Sequence, residues 1–229
     1  MLLFHHPMSA SSRFIRLVLA EYGQNTELQE EQPWQRRPEF MQINPAGTLP
    51  VLIGEAGTAI IGAFAISEYL DETRGAMMRD KRLMPGSPLE RAEVRRLIDW
   101  FLAKTETDVT RALTRERVFK LHMSAAEGGV APDSAVLRTA RANIRQHMRY
   151  LGWLAQSRNW LAGDKLTLAD LAAGAAVSVL DYMGEIDWSA EPAAREWYHR
   201  IKSRPSFRGL LLDRVRRLPP ASHYADLDF

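Results

Sequence analysis

The feature that most constrains the fold is a change of character between residues 76 and 90. Before this segment, short apolar runs alternate with amphipathic stretches and are separated by Gly and Pro, as in a small α/β unit. After it, apolar residues recur at helical spacing almost to the end of the chain. The segment itself carries Pro85, Gly86 and Pro88, which punctuate regular structure. The sequence therefore predicts two domains of different class.

The N-terminal part is predicted to follow the order β-α-β-α-β-β-α, which gives a small unit with a mixed sheet. Leu2 to Phe4 is a short apolar run, and Gly23 ends the amphipathic helix that follows it. Serines 9, 11 and 12 are possible N-caps for that helix. The predicted strands are 2–4, 26–30, 49–53 and 58–61, and the predicted helices are 9–22 and 63–74, with a partly helical loop over 31–44.

The rest of the chain is predicted to be a bundle of helices. These helices are predicted at 90–104, 105–125, 133–157, 167–183, 191–203 and 206–214. We therefore expect an N-terminal domain over 1–76, a linker over 77–89, an all-helical domain over 90–218 and a C-terminal tail over 219–229.

Composition excludes several classes of protein. The chain has no Cys, which excludes a disulfide scaffold, a Cys-based zinc site and a Cys nucleophile. Thirty Lys and Arg against 28 Asp and Glu give a net charge of +2, too balanced for a dedicated nucleic-acid binder. The six His residues show no metal-ligand spacing. Because no apolar run approaches the roughly 18 residues of a membrane span, and no signal peptide is evident, we expect a cytoplasmic protein without membrane insertion.

Three motifs give the chain a specific resemblance. They are Asn44-Pro-Ala-Gly-Thr-Leu-Pro-Val-Leu52, the capping-box sequence Thr167-Leu-Ala-Asp170, and Trp197 to Phe207. In this order they resemble the glutathione S-transferase family. The resemblance implies a thioredoxin-like N-terminal domain with a mixed sheet, joined to a C-terminal helical bundle. It also implies that Pro50 follows a cis peptide bond and that the backbone of Leu49 faces the ligand groove.

In that family, the ligand groove needs a hydroxyl or thiol at a helix N-terminus that stabilises the glutathione thiolate. Ser9 matches the family's serine position best. The alternative interpretation is that Ser9 only caps the first helix. The resemblance thus assigns Ser9, Leu49, Pro50, Gly62 and Ala63 to the inherited groove.

The second requirement of the family is a grip on the γ-glutamyl end of glutathione. The family usually has an acidic residue followed by Ser here, whereas this chain has Gly62 and Ala63. Losing two polar anchors should cost several kcal/mol, at about 1.5–3 kcal/mol for each hydrogen bond to a charged group. We therefore expect no catalytic residue and no cofactor. The alternative is a glutathione-dependent transferase acting on small electrophiles, with Ser9 at the thiolate and Arg13 or Arg37 recruited to hold glutathione.

Other residues are candidates for a partner surface. Trp34 lies in a polar loop beside Arg37, and a basic segment carries Leu113 and Arg117. In the tail, Tyr224 and Asp226 combine an aromatic with a carboxylate. The alternatives are that Trp34 belongs to the core and that the basic segment is a solvated helix face.

Within the family, the chain is most similar to bacterial cell-division proteins that bind FtsZ, the tubulin-like GTPase of the division ring. That similarity implies a non-catalytic homodimer, recruited to the division site, that binds FtsZ filaments and regulates constriction. A two-site dimer can bridge filaments through effective concentration. A third alternative is a structural or chaperone-like dimer without a defined ligand.

Overall fold

The structure is a computed structural model and describes residues 1–227, so the last two residues of the expected tail lie outside the described residues. The N-terminal domain holds a four-stranded mixed sheet in the order β2-β1-β3-β4. Strand β1 pairs parallel with β2 and antiparallel with β3, and β3 pairs antiparallel with β4. Its elements are β1 Leu2–His5, α1 Ala10–Glu21, β2 Glu27–Glu30, α2 Pro38–Ile43, β3 Val51–Ile53, β4 Ala59–Ile61 and α3 Ala63–Thr73.

The helical domain follows, and it packs on the N-terminal domain through α1. Its helices are α4 Pro88–Asp99, α5 Arg111–Arg117, α6 Ser134–Ser157, α7 Leu168–Tyr182, α8 Pro192–Lys202 and α9 Arg208–Leu211. Short 3-10 turns lie at Pro33–Gln35, Gly75–Lys81, Phe119–Leu121, Ala125–Glu127 and Pro205–Phe207. The predicted fold class, a thioredoxin-like domain followed by a helical bundle, is confirmed. No helix within residues 1–227 has the length and apolar character to cross a bilayer.

The predicted boundary between helices at residues 104 and 105 is wrong. Two π-helical segments, Trp100–Lys104 and Glu106–Thr110, connect α4 to α5 without a break. Thr105 between them keeps helical backbone angles (φ −63°, ψ −35°). No Gly or Pro lies in this stretch to end the helix. The wider π turns therefore carry the helix on from α4 to α5.

Helix α7 lies at the centre of the molecule. All fifteen of its residues are buried. Its start is the predicted capping box, which is confirmed: Thr167 Oγ accepts from Ala169 N at 3.3 Å, and Asp170 accepts from Thr167 N at 3.0 Å. A second carboxylate oxygen of Asp170 accepts from Trp197 Nε1, which ties α8 to this helix start. Because burial raises the pKa of Asp170, these donors are what make a carboxyl tolerable there.

The expected linker and tail are both tied to the helical domain. Leu83 and Met84 are buried, and Leu83 O accepts from Leu168 N at 3.0 Å. In the tail, Ala221 N donates to Tyr182 O at 2.9 Å, and Tyr224 is fully buried. The exact domain boundaries stay a prediction.

Candidate functional site

The hydroxyl of Ser9 is the N-cap of α1. Its Oγ accepts from Ser12 N at 3.2 Å, and Ser12 Oγ accepts in turn from His6 N at 3.3 Å. Both serines therefore stabilise the start of α1. The N-cap interpretation of Ser9 is confirmed, and a role of its hydroxyl at a thiolate stays a prediction, because an Oγ that accepts this bond keeps its own proton to donate.

The other groove residues lie opposite one another across the end of β3. The Leu49–Pro50 peptide bond is cis, as the resemblance implies. Pro50 O accepts from Gly62 N at 3.0 Å, which brings the start of α3 next to the cis proline. Asn44 fixes the approach to this bond, because its side-chain amide donates to Thr48 O at 2.8 Å. Leu49, Pro50, Gly62 and Ala63 are thus brought together.

The start of α3 has no polar side chain to hold a zwitterion. Gly62 precedes the helix with φ +90° and ψ 141° and provides no side-chain cap, and the first turn carries no acidic residue. This backbone conformation, rather than crowding, favours glycine, because nothing lies within 4 Å of an added Cβ. The backbone N–H groups of the first turn are still able to bind an anion.

Arg13 cannot serve as a substitute anchor, so that part of the enzyme alternative is wrong. The guanidinium is fully buried and donates to Pro7 O, Ser178 Oγ and Tyr224 Oη, at 2.5, 2.8 and 3.0 Å. These donors are already committed to linking α1 with α7 and the tail. A ligand could reach Arg13 only by dismantling that buried network.

Arg37 is held by a buried carboxylate. Its Nε and Nη2 donate to Glu31, with Nη2 to Oε2 at 2.6 Å, and the Glu31 side chain is 1% exposed. Because this bidentate pair is the strong kind, Arg37 is fixed in place. The outer part of Arg37, 40% exposed, can still meet a partner.

Trp34 belongs to an aromatic cluster that joins the two domains. Its ring centroid lies 4.8 Å from Phe119, 5.8 Å from His6 and 6.4 Å from His122. Trp34 is half-buried, so it is neither a fully buried core residue nor a fully exposed surface residue. Its Nε1 is buried without a hydrogen-bond partner in the described chain.

A recess of about 220 Å³ opens beside this cluster, and we call it the aromatic recess. Burial lowers the pKa of His6 to about 3, so this imidazole is neutral at physiological pH. Arg214 and Arg216 add two positive charges to the lining of the recess, and Glu30 adds one carboxyl group. The residues lining the aromatic recess are His6, Glu30, Gln32, Trp34, His122, Arg214, Val215 and Arg216.

Two of the six expected partner residues are wrong as contact residues. Leu113 and Tyr224 are both fully buried, because each packs into the main core, so neither side chain reaches the surface. Arg117 is half-buried and donates to Met183 O at 2.9 Å and to Glu185. Asp226 is exposed. Trp34, Arg37, Arg117 and Asp226 therefore remain as surface candidates.

Sequence reasoning missed Phe119, His122, Arg214 and Arg216. Phe119 lies two residues after the end of α5, in a segment whose charged residues dominate its sequence pattern. The two arginines come from a turn near the C-terminus, 180 or more positions from Trp34, so no local pattern connects them to it.

Two family descriptions match the chain: the N-terminal domain of glutathione S-transferase over residues 8–73 and the C-terminal domain over residues 114–205. The chain belongs to the glutathione S-transferase family. The three motifs and the cis proline are thereby explained. One match falls in each of the two domains described above.

Among individual proteins, the chain is 40% identical over 230 residues to FtsZ-localized protein A of Caulobacter vibrioides, covering 99% of this chain and 97% of that one. The structure of FzlA from C. crescentus superimposes with a TM-score of 0.90 at 39% identity, covering 100% and 99% of the two chains. The crystal structure of a glutathione S-transferase from Sinorhizobium meliloti 1021 reaches a TM-score of 0.98 at 64% identity, with the same coverage.

Proposed function

We propose that this protein is a non-catalytic, glutathione S-transferase-like cell-division protein that binds FtsZ filaments and regulates constriction. The observation that carries the proposal is the end-to-end similarity to FtsZ-localized protein A, 40% identity over 99% of the chain. On this proposal the protein works in the cytoplasm and is recruited to the division site.

The groove supports a function without turnover. Ser9 caps α1, and the start of α3 has Gly62 and Ala63 where the family has an acidic residue and Ser. The two side chains that remain as possible anchors, Arg13 and Arg37, are bound to other groups. Glutathione would thus lose several charged contacts at the end that carries most of its charge.

The aromatic recess supports binding of a protein partner. It combines Trp34, a half-buried aromatic next to Phe119, with the arginines Arg214 and Arg216. Trp and Arg are the residues enriched in the energetic centres of protein interfaces. Arg37 lies in the same loop as Trp34, and the outer part of its side chain is exposed. The proposed FtsZ surface therefore comprises the aromatic recess and Arg37.

A second face supports a homodimer. Arg95 of α4 forms an ion pair with Glu68 of α3 at 2.8 Å, which links the two helices. Phe64, at the start of α3, is 49% exposed, and Leu89, at the start of α4, is 81% exposed. Each of the two helices thus exposes a large apolar side chain that a second copy would cover. We call this the α3/α4 face.

Co-sedimentation of the purified protein with FtsZ polymerised in GTP tests the proposal. We expect the protein to pellet with the polymers in a saturable way and to stay in the supernatant when GDP prevents polymerisation. The same chain with no FtsZ present controls for self-association. Equal recovery in the pellet with and without polymers would contradict FtsZ binding.

A glutathione-dependent transferase acting on small electrophiles is the second candidate. The observation that favours it is the 64% identity to a chain described as a glutathione S-transferase. Calorimetric titration with millimolar glutathione distinguishes the two candidates. Saturable heat, together with turnover of an electrophile that Ser9→Ala abolishes, would favour the enzyme. No heat of glutathione binding and no turnover of an electrophile would favour the non-catalytic division protein.

A further inference from the structure

A cavity of about 510 Å³ opens between α6 and the loop that leads into α8. It belongs to the helical domain and shares no lining residue with the aromatic recess. Three buried apolar side chains, Ile144, Met148 and Ile186, contribute to it. A concave, partly apolar site of this volume lies in the size range of ligand pockets.

The wall on α6 carries three arginines, Arg141, Arg145 and Arg149, spaced four residues apart and therefore on one helix face. Arg141 is neutralised, since its Nε and Nη2 donate to Glu185 at 2.7 and 3.0 Å. The side chains of Arg145 and Arg149 form neither a hydrogen bond nor an ion pair with any residue in 1–227. The cavity thus presents two guanidinium groups without an acidic partner.

The opposite wall carries a carboxylate without a cationic partner. Glu191 precedes α8, does not cap it with its side chain, and forms no ion pair within the described chain. Its Oε2 lies only 2.8 Å from the place where a Cβ on Gly152 would stand. Gly152 of α6 therefore makes room for this carboxylate at the edge of the cavity.

We propose that this cavity binds the C-terminal end of a partner polypeptide that ends in an apolar residue. Arg145 and Arg149 would hold the terminal carboxylate, because a guanidinium matches carboxylate geometry. The last side chain would pack on Ile144, Met148 and Ile186, and Glu191 would accept an N–H from the peptide backbone. All three kinds of group in the cavity then have a partner.

Simpler ligands leave part of the cavity unused. A free anion such as phosphate would satisfy the arginines and leave the apolar surface and Glu191 without a partner. A nucleic acid would bring further phosphates towards Asp187 and Glu191, where like charges repel them. The proposal is independent of FtsZ binding, since no residue of the aromatic recess takes part.

Methyl NMR of the full-length protein, labelled at Ile δ1 and Met ε methyl groups, tests the proposal directly. The probe is N-acetyl-alanyl-leucine, compared with its C-terminal amide and with inorganic phosphate. We expect the free acid to shift the Ile144, Met148 and Ile186 methyl signals in a saturable way. The amide should bind about tenfold more weakly or worse, the size expected when a hydrogen bond to a charged group is lost.

The double substitution Arg145→Ala/Arg149→Ala should abolish those shifts, and Glu191→Gln should weaken binding. Arg138→Ala is the matched control, because it removes one arginine from the same helix outside the cavity. Unchanged signals from methyl groups remote from the cavity, in the control and in the double variant, show that both still fold. Equal binding of acid and amide, equal effects of phosphate on these methyl groups, or no shift with the free acid would each overturn the proposal.

Discussion

Arg13 and Tyr224, which lie 211 positions apart in the sequence, meet in the buried interior, where Arg13 Nη1 donates to Tyr224 Oη at 3.0 Å. The Tyr224 hydroxyl in turn donates to Leu210 O at 3.0 Å. Arg13 also donates to Ser178 on the central helix. The C-terminal tail is therefore part of the junction between the two domains, where it completes the hydrogen bonding of a buried guanidinium.

Removing the hydroxyl of Tyr224 should destabilise the protein. Tyr224→Phe leaves the ring in place and deprives Arg13 of one acceptor, for which we expect a loss of about 1.5–3 kcal/mol in the free energy of unfolding. Urea denaturation measures this loss. Tyr150→Phe is the control, because it removes the acceptor of an exposed bond from Arg96 and should cost less than about 0.5 kcal/mol. Equal effects of both substitutions would contradict the role of Tyr224.

Local chemistry explains why much of the fold was predictable from the sequence. Thr167 and Asp170 announce the start of α7 by residue type and spacing alone, and Gly23 announces the end of α1. Strands β1, β3 and β4 are likewise indicated by short apolar runs between turns. The predicted helix boundary at residues 104 and 105 was wrong for a local reason as well, since no residue there signals either the end of a helix or its continuation.

Long-range packing explains what the sequence could not supply. Leu113 and Tyr224 were expected at the surface, and only their partners from other elements bury them. Arg13 shows the same limit: its sequence neighbours suit a ligand-binding helix start, whereas Ser178 and Tyr224 decide its role. The pairing of Trp34 with Phe119 joins two domains, and so no spacing rule contains it.

Acidification should destabilise the protein through His6. His6 Nδ1 accepts from Met8 N at 3.1 Å, and burial lowers the pKa of His6 to about 3, although Glu30 lies 4.0 Å from its Nε2. In the unfolded chain the pKa is about 6.5, so below that pH the unfolded state binds a proton that the folded state does not. Stability therefore falls as the pH drops from about 6.5 towards 3.

His6→Asn keeps a hydrogen-bond acceptor and removes the titrating group. Between about pH 7 and pH 5, wild type should lose about 2 kcal/mol more free energy of unfolding than this variant, at roughly 1.4 kcal/mol per pKa unit. Urea denaturation at each pH measures the difference. Near about pH 8, His6 is unprotonated in both the folded and the unfolded state. The difference in free energy of unfolding between wild type and His6→Asn should therefore no longer change with pH there. Parallel pH profiles throughout would show that His6 does not contribute.

The α3/α4 face should hold the proposed homodimer together. We expect wild type to elute with twice the 26.0 kDa chain mass in size-exclusion chromatography with light scattering. The double substitution Phe64→Glu/Leu89→Glu places a charge at each of the two exposed apolar positions of this face and should give monomers. Leu212→Glu, which changes a leucine that is 75% exposed elsewhere, is the control and should stay dimeric. A monomeric wild type would refute the dimer.

If the dimer bridges filaments, the monomeric variant should still pellet with FtsZ and should no longer bundle the filaments. Two linked sites gain from effective concentration, and a single site cannot bridge. Light scattering and negative-stain images of the polymers distinguish binding from bundling. Bundling by a proven monomer would show that each chain carries two FtsZ sites.

Trp34 should contribute to FtsZ binding more than to stability. Trp34→Ala removes the half-buried ring that forms one side of the aromatic recess, and removal of such an aromatic anchor typically weakens binding by about 2 kcal/mol or more, roughly thirtyfold. Because Phe119 and His6 lose one face of their packing, we expect the melting temperature to fall by only a few degrees. Co-sedimentation over a range of FtsZ concentrations measures the binding.

Trp153→Ala is the matched control for this prediction. Trp153 is 56% exposed on α6 and stacks on Tyr150, with ring centroids 6.0 Å apart, outside the aromatic recess. Its loss should leave FtsZ binding unchanged, since the two tryptophans share size and chemistry and differ in position. Equal weakening by both substitutions would indicate a non-specific effect. A large drop in melting temperature for Trp34→Ala alone would assign Trp34 to the domain junction, because the ring then serves folding before it serves a partner.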